Sequence, residues 1–113
     1  MKKLLYIIAV VCLFSACSSE RPGEVAKNFT ENVAKGKMEE AKKYASASTE
    51  ELLDLMIQSG VVEINPGFTF NFVKDSIEGD QAWVMYTDEY GVEGIIPLSR
   101  YKGHWKVDIQ YGI

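Results

Sequence analysis

The sequence predicts an α+β domain of about three N-terminal helices packed on a curved antiparallel sheet of about four strands. Between residues 24 and 60 the apolar residues recur every three or four positions, as in amphipathic helices. From residue 68 onward they alternate with polar residues between short turn sequences, as in half-buried strands. Helices followed by a run of strands favour two layers, with the helices on one face of the sheet.

The chain begins with the features of a secretory signal peptide. Lys2 and Lys3 form a short basic start, and the apolar run Leu4–Ala16 follows them. This run is too short to cross a bilayer, because a membrane-spanning helix needs about 20 apolar residues.

The end of the apolar run, Leu13–Cys17, resembles a bacterial lipobox. Ser15 and Ala16 are the small residues expected before the cysteine, while Phe14 stands where Leu is usual. The resemblance implies cleavage before Cys17 and lipid attachment to its thiol. The alternative is an ordinary signal peptide that is cut nearby and leaves Cys17 as a free thiol.

The predicted organisation is a signal peptide at residues 1–16, a lipidated tether at 17–23 and a single α+β domain at 24–113. Loss of Lys2 and Lys3 with the leader would reduce the basic side chains from 12 to 10 against 16 acidic ones, so the formal charge becomes −6 instead of −4. An acidic domain argues against a nucleic-acid partner. We therefore expect a lipid anchor in the bacterial cell envelope, with the outer membrane favoured and the domain periplasmic or surface-exposed.

Three helices are predicted between residues 22 and 60. Pro22 suits the first turn of the first helix, and Gly36 follows its end. A second, shorter helix comes next. Ser48 and Glu51 have the spacing of a capping box, so we expect them to begin the third helix.

Four strands are predicted between residues 68 and 111. Phe68, Phe70 and Phe72 alternate with polar residues, and the apolar phase shifts after Phe72, which predicts a bulge. The strand at 82–87 is apolar on both faces and should be central. Pro97 predicts an edge or a bulge in the third strand.

The last strand, from Gly103 to the end of the chain, places Trp105, Val107, Ile109, Tyr111 and Ile113 on its inner face. The side chains expected to be buried lie on the helix stripes and the inner strand faces: Val25, Phe29, Val33, Leu52, Met56, Phe70, Val84, Trp105, Val107 and Ile109.

Four short segments carry a resemblance to small bacterial lipoproteins of unknown function with a nuclear transport factor 2-like (NTF2-like), or cystatin-like, domain. They are 22–26 with Phe29, 35–41, 79–82 and 103–107, each a packing or turn motif. The resemblance implies a cone in which a curved sheet wraps around helices. It implies no particular chemistry.

Enzymes with this cone place a carboxylate or a histidine inside the cavity, so the candidates for such a role are Asp54, Asp75, Asp88 and His104. His104 shares the polar strand face with Lys106 and Asp108, which favours solvent exposure. No cluster has metal-ligand spacing, and we expect neither a catalytic residue nor a cofactor.

The aromatic residues Tyr44, Trp83, Tyr86 and Trp105 are candidate pocket residues, although in a small domain they are more simply the core. The interpretation favoured by the sequence is a non-catalytic binding or scaffolding module for a partner protein or a small apolar ligand. The alternative is an isomerase- or dehydratase-like enzyme with a carboxylate or His104 in the cavity of the cone.

Overall fold

The helices precede the strands along the chain in the computed structural model, which describes residues 20–109. The helices are α1 (Pro22–Ala34), α2 (Met38–Lys42) and α3 (Ala47–Ser59), and the strands are β1 (Asn71–Glu78), β2 (Gln81–Thr87), β3 (Glu93–Tyr101) and β4 (His104–Val107). The strands form an antiparallel sheet in the order β1-β2-β3-β4. The predicted succession of three helices and four antiparallel strands is confirmed.

The core lies between the helices and the inner face of the sheet. Six of the ten side chains expected to be buried are buried in the structure: Val25, Phe29, Phe70, Val84, Trp105 and Val107. The remaining four are only half-buried: Val33, Leu52, Met56 and Ile109. Of these, Val33, Met56 and Ile109 pack against the core from its margin.

Helix α1 begins and ends where its sequence signals predict. Pro22 is the first helical residue, and Gly36 follows the C-cap residue Lys35 with a φ of +77°. The helix therefore includes Gly23, which the sequence interpretation had placed in the tether.

The predicted cap of α3 is wrong by two residues. The N-cap is Ser46, whose Oγ accepts a hydrogen bond of 3.3 Å from the backbone N–H of Thr49. Ser48 lies within the first turn of the helix, and its hydroxyl donates instead to Asp108. The capping-box spacing of Ser48 and Glu51 is therefore not used.

Strand β1 starts later than predicted, at Asn71, so Phe68 and Phe70 precede it. The predicted bulge is confirmed, because the β1–β2 register shifts between Phe72 and Lys74. Phe72 is 54% exposed, although its ring lies against Gly23 of α1.

Strand β2 is internal, as its two apolar faces predicted, but β3 is internal as well. Pro97 is tolerated there because the carbonyl of Pro97 accepts from the backbone N–H of Asp108 (2.9 Å), just beyond the end of β4 at Val107. In an antiparallel strand the N and O of one residue point to the same neighbour. The missing N–H of Pro97 therefore faces Asp108, beyond the end of β4, where the regular ladder has already ended.

Strand β4 is four residues long, shorter than predicted. Trp105 and Val107 are buried, as the alternation predicted. Tyr111 and Ile113 lie outside the described residues, and so do the leader and Cys17. Among residues 20–109, no helix has both the length and the apolar character needed to cross a membrane.

Candidate functional site

A cleft of about 440 Å³ lies between the first turns of α1 and the inner face of β1. Its volume is within the range of small-molecule sites, about 300–1,000 Å³. We call it the α1–β1 cleft; its lining residues are Arg21, Gly23, Glu24, Lys27, Phe70, Phe72 and Asp75.

Two phenylalanines form the apolar floor of the α1–β1 cleft. Phe70 is buried and stacks on Tyr86, with ring centroids 4.9 Å apart, and Phe68 meets the same tyrosine edge-on at 6.3 Å. Burial, with a smaller contribution from the charge of Asp88, raises the pKa of Tyr86 above its ordinary value. The floor therefore has a fixed residue, Phe70, and a half-exposed one, Phe72.

Gly23 allows α1 to approach the exposed ring. A Cβ at this position would lie 2.9 Å from Cε1 of Phe72, closer than real Cβ atoms approach other heavy atoms. The absence of a side chain at Gly23 thus sets the position of Phe72 and the width of the cleft.

The rim of the cleft carries both signs of charge. Arg21, Glu24 and Lys27 come from the start of α1, and Asp75 comes from β1. Asp75 is paired with the buried Val84 in the β1–β2 register, so it lies on the inner face of the sheet. It is nevertheless exposed to solvent at the rim of the cleft.

The four aromatic candidates lie at three separate places. Tyr44 and Trp105 line a small cavity of about 70 Å³ together with His104. Trp83 lies on the outer face of the sheet, paired with Pro97, and Tyr86 lies on the inner face beside Phe70. The sequence did not single out the phenylalanines of the cleft, although their alternation marked them as strand residues.

Of the candidate acids, Asp75 is the one that lines the α1–β1 cleft. Asp54 forms an ion pair with Lys42, with 2.6 Å between Oδ1 and Nζ. This hydrogen bond to Asp54, and a second one that Lys42 donates to Glu39, raise the pKa of Lys42. His104 is exposed at the start of β4, as its strand face predicted.

Asp88 has a local role in the turn between β2 and β3. Its Oδ1 accepts hydrogen bonds of 2.9 Å from the backbone N–H groups of Tyr90 and Val92. Within residues 20–109, no group of three His, Cys, Asp or Glu side chains is placed to hold a metal ion.

Asp108, which the sequence placed on the polar face of β4 and gave no role, is the centre of a hydroxyl cluster. Its Oδ1 accepts from the hydroxyls of Ser46 (2.9 Å) and Ser48 (3.3 Å), and its Oδ2 from those of Ser99 (2.7 Å) and Tyr101 (3.3 Å). Burial raises the pKa of Asp108, but these hydrogen bonds outweigh it, and the net shift is downward.

The cluster continues into the buried start of α3. Thr49 Oγ1 lies 3.0 Å from Ser46 Oγ and accepts from the backbone N–H of Ile109 at 2.9 Å. Ser46 has a single hydroxyl proton, and it donates this proton to Asp108, because a carboxylate can only accept. The hydroxyl of Thr49 must therefore donate to Ser46. The result is a chain of hydrogen bonds from Ile109 to Asp108 that joins α3 to the sheet. Its geometry suits structural support.

Comparison with protein-family models finds no match for this chain, and comparison with curated protein sequences finds none either. A crystal structure from Campylobacter jejuni, described as a "putative NTF2-like transpeptidase", is similar, with a TM-score of 0.59. The match covers 80% of this chain and 100% of that one at 14% sequence identity. This chain has an NTF2-like fold. The resemblance stated from the sequence is thus confirmed for the fold, and identity this low carries no activity across.

Proposed function

We propose that this NTF2-like domain is a non-catalytic binding module, and that a small apolar molecule binds in its α1–β1 cleft. The observation that carries the proposal is the apolar floor, in which Phe72 is left 54% exposed beside a volume of about 440 Å³. Contact between an aromatic ring and water is unfavourable. An apolar ligand that covers the ring would gain about 25 cal/mol per Å² of apolar surface buried.

We further propose that the sheet curves into the cone implied by the resemblance, with the α1–β1 cleft as its open mouth. The bulge between Phe72 and Lys74 supports this, because bulges bend a strand and increase its twist. Helix α1 would then form the inner wall and β1 the outer lip.

The proposed location is the bacterial cell envelope, with lipid on Cys17. The leader and the lipobox-like Leu13–Cys17 support it. Arg21, on the rim of the cleft, follows Cys17 by four residues, and an extended chain of that length spans at most about 14 Å. An anchored domain would therefore hold its cleft close to the membrane surface, where apolar molecules are concentrated. Partner proteins of the envelope remain within this proposal, as ligands that would insert an apolar side chain.

The second candidate function is an isomerase- or dehydratase-like enzyme, and one observation favours it: the Asp75 carboxylate lines the cleft. A general base of this kind is normally desolvated, which shifts its pKa toward neutrality. Asp75 is exposed to solvent at the lip of the cleft, and this supports binding over catalysis.

The test is to quantify, by mass spectrometry, apolar molecules that co-purify with the full chain and with two alanine variants. Phe72→Ala removes the exposed floor, and we expect about tenfold less bound material, the equivalent of about 1.4 kcal/mol. Ile95→Ala is the matched control, because Ile95 is also an exposed apolar strand residue (59%) but lies on the outer face. Equal loss in both variants would contradict the proposal.

A second variant changes the shape of the cleft without lowering the stability of the helix. Gly23→Ala should leave the helix as stable or more so, by up to about 1 kcal/mol, since alanine favours helices over glycine. The new methyl group must displace the Phe72 ring, so bound material should decrease. Turnover of a ketone panel that disappears in Asp75→Asn would instead favour the enzyme.

A further inference from the structure

Strand β1 is an edge strand of the sheet that residues 20–109 form. It is first in the strand order, and all eight of its residues are exposed. Within residues 20–109, its backbone hydrogen bonds are those of the β1–β2 ladder. Unpaired edges of this kind readily accept another strand.

The turn after β1 determines which backbone groups point away from the sheet. Gly79 and Asp80 form a two-residue turn closed by the pair Glu78–Gln81, and such a closing pair is hydrogen-bonded. Successive residues of a strand point their backbone N–H and C=O groups to opposite sides. Since those of Glu78 point toward β2, those of Asp75 and Ile77 point away from the sheet. These two residues offer two donors and two acceptors to an added strand.

Two features limit what can pair with this edge. The bulge between Phe72 and Lys74 confines regular pairing to Lys74–Glu78. Lys74 lies on the outer face. A charged residue on an edge strand disfavours pairing with a strand that offers it no opposite charge. An incoming strand must therefore carry an acid opposite Lys74.

We propose that this strand is β1 of a second copy, paired antiparallel about a two-fold axis at Ser76. In that register Lys74 lies opposite Glu78 of the partner subunit, twice by symmetry. Asp75 and Ile77 of the partner subunit form a hydrogen-bonded pair, and so do their symmetry mates, which gives four backbone hydrogen bonds. An axis at Lys74 or Asp75 would instead place like charges directly opposite. An axis at Ile77 would place Lys74 opposite Asp80, which lies in the turn beyond the end of β1 and not on the strand.

The pairing would extend the sheet to eight strands and would add to each α1–β1 cleft. Asp75 lines the cleft, so Ile77 of the partner subunit would stand beside it as a further apolar wall. On the outer face Ser76 is paired with Trp83, so the two tryptophans would flank the axis. The dimer follows from the strand edge alone and does not require the cleft to hold a ligand.

The first test is an intersubunit disulfide from Ser76→Cys in the full chain. Opposed residues of a non-hydrogen-bonded pair have Cα atoms about 4.5 Å apart, within the range that a disulfide spans. Mild oxidation should give a dimer that reductant dissolves. Ile77→Cys is the matched control, because it keeps Lys74 and Glu78 and its symmetry mate would be two residues away along the strand, about 7–8 Å or more and too far for a disulfide. The parent chain controls for Cys12 and Cys17. Equal crosslinking in Ser76→Cys and Ile77→Cys would overturn the proposal.

The second test exchanges the charges. Lys74→Glu and Glu78→Lys should each raise the dimer dissociation constant about tenfold or more, measured by analytical ultracentrifugation in detergent, since each places like charges opposite twice. The double variant restores opposite pairs and should recover most of the parent affinity. Independent effects of the two changes, with no recovery, would refute this register, as would a monomeric parent chain.

Discussion

Replacement of Asp108 by asparagine tests whether the hydroxyl cluster holds α3 to the sheet. Asp108→Asn keeps the shape of the side chain but removes its charge and one acceptor oxygen. The new amide group would donate where two hydroxyls, either Ser46 and Ser48 or Ser99 and Tyr101, now donate as well. At least one of these pairs must therefore lose its acceptor.

The magnitude follows from the two short hydrogen bonds, from Ser99 at 2.7 Å and from Ser46 at 2.9 Å. Hydrogen bonds to a charged group contribute about 1.5–3 kcal/mol each, and a neutral one that asparagine retains contributes about 0.5–1.5 kcal/mol. Water replaces part of the loss, because the residue is only half-buried. We expect the free energy of unfolding at pH 7 to decrease by about 2–3 kcal/mol.

The effect must depend on pH. The folded-state pKa of Asp108 is below its ordinary value of 3.8, so the charged form stabilises the fold above that pH. This contribution is lost as the pH falls through the folded-state pKa. Urea unfolding of the parent and Asp108→Asn chains should therefore differ most between pH 5 and pH 7, and the difference should shrink as the pH falls below 3.8.

Asp80→Asn is the control for this experiment. Asp80 is 83% exposed and lies 3.7 Å from Arg100, a pair too exposed to matter for stability. The free energy of unfolding of the Asp80→Asn chain should equal that of the parent chain at every pH. A loss in Asp108→Asn that persisted unchanged at pH 3, or no loss at pH 7, would refute the role given to the carboxylate.

Three further predictions follow from single side chains. Trp105→Ala should cost about 3–5 kcal/mol in thermal or urea unfolding, because the indole is buried and Arg100 lies 4.4 Å over its ring. Gly94→Ala should cost about 1–3 kcal/mol, because the new Cβ would lie 2.7 Å from the ring of Tyr86, which is packed against Phe70; unchanged stability would mean that this ring moves freely. Cys17→Ala should release the protein from membranes into the soluble fraction, and unchanged detergent partitioning would contradict the lipid anchor.

The local elements were predictable because their signals are local. Pro22 marks the start of α1 and Gly36 its end, both through backbone geometry alone. The change of apolar phase after Phe72 marked the bulge. The cap of α3 was not predictable in the same way. Ser46 and Ser48 both have side chains suited to a cap, and both donate to Asp108. Ser46 is also held to the sheet by its backbone N–H, which donates to Val107, and the local sequence does not show this contact.

The cleft was less predictable than the fold, because burial depends on which part of the sheet the helices cover. Phe68, Phe70 and Phe72 have one pattern in the sequence, yet Phe70 is buried and Phe72 is half-exposed. Phe70 stacks on Tyr86 within the core, whereas the ring of Phe72 lies against the first turn of α1, at Gly23, and faces the cleft. Alternation assigns a residue to a face but does not say whether anything covers that face.

The same limit applies to the two edges of the sheet, and it explains why one is closed and the other open. The chain at Ala45 runs parallel to Val107 and covers β4, with the Val107 N–H donating to Tyr44 and the Ser46 N–H to Val107. This contact joins residues about 60 positions apart, and the Asp108 cluster holds it in place. No such segment within residues 20–109 reaches β1. If the Asp108 cluster is what keeps the β4 edge covered, then Asp108→Asn at pH 7 should speed amide hydrogen exchange at Ser46 and Val107 while exchange at Asp75 and Ile77, on the β1 edge, stays unchanged.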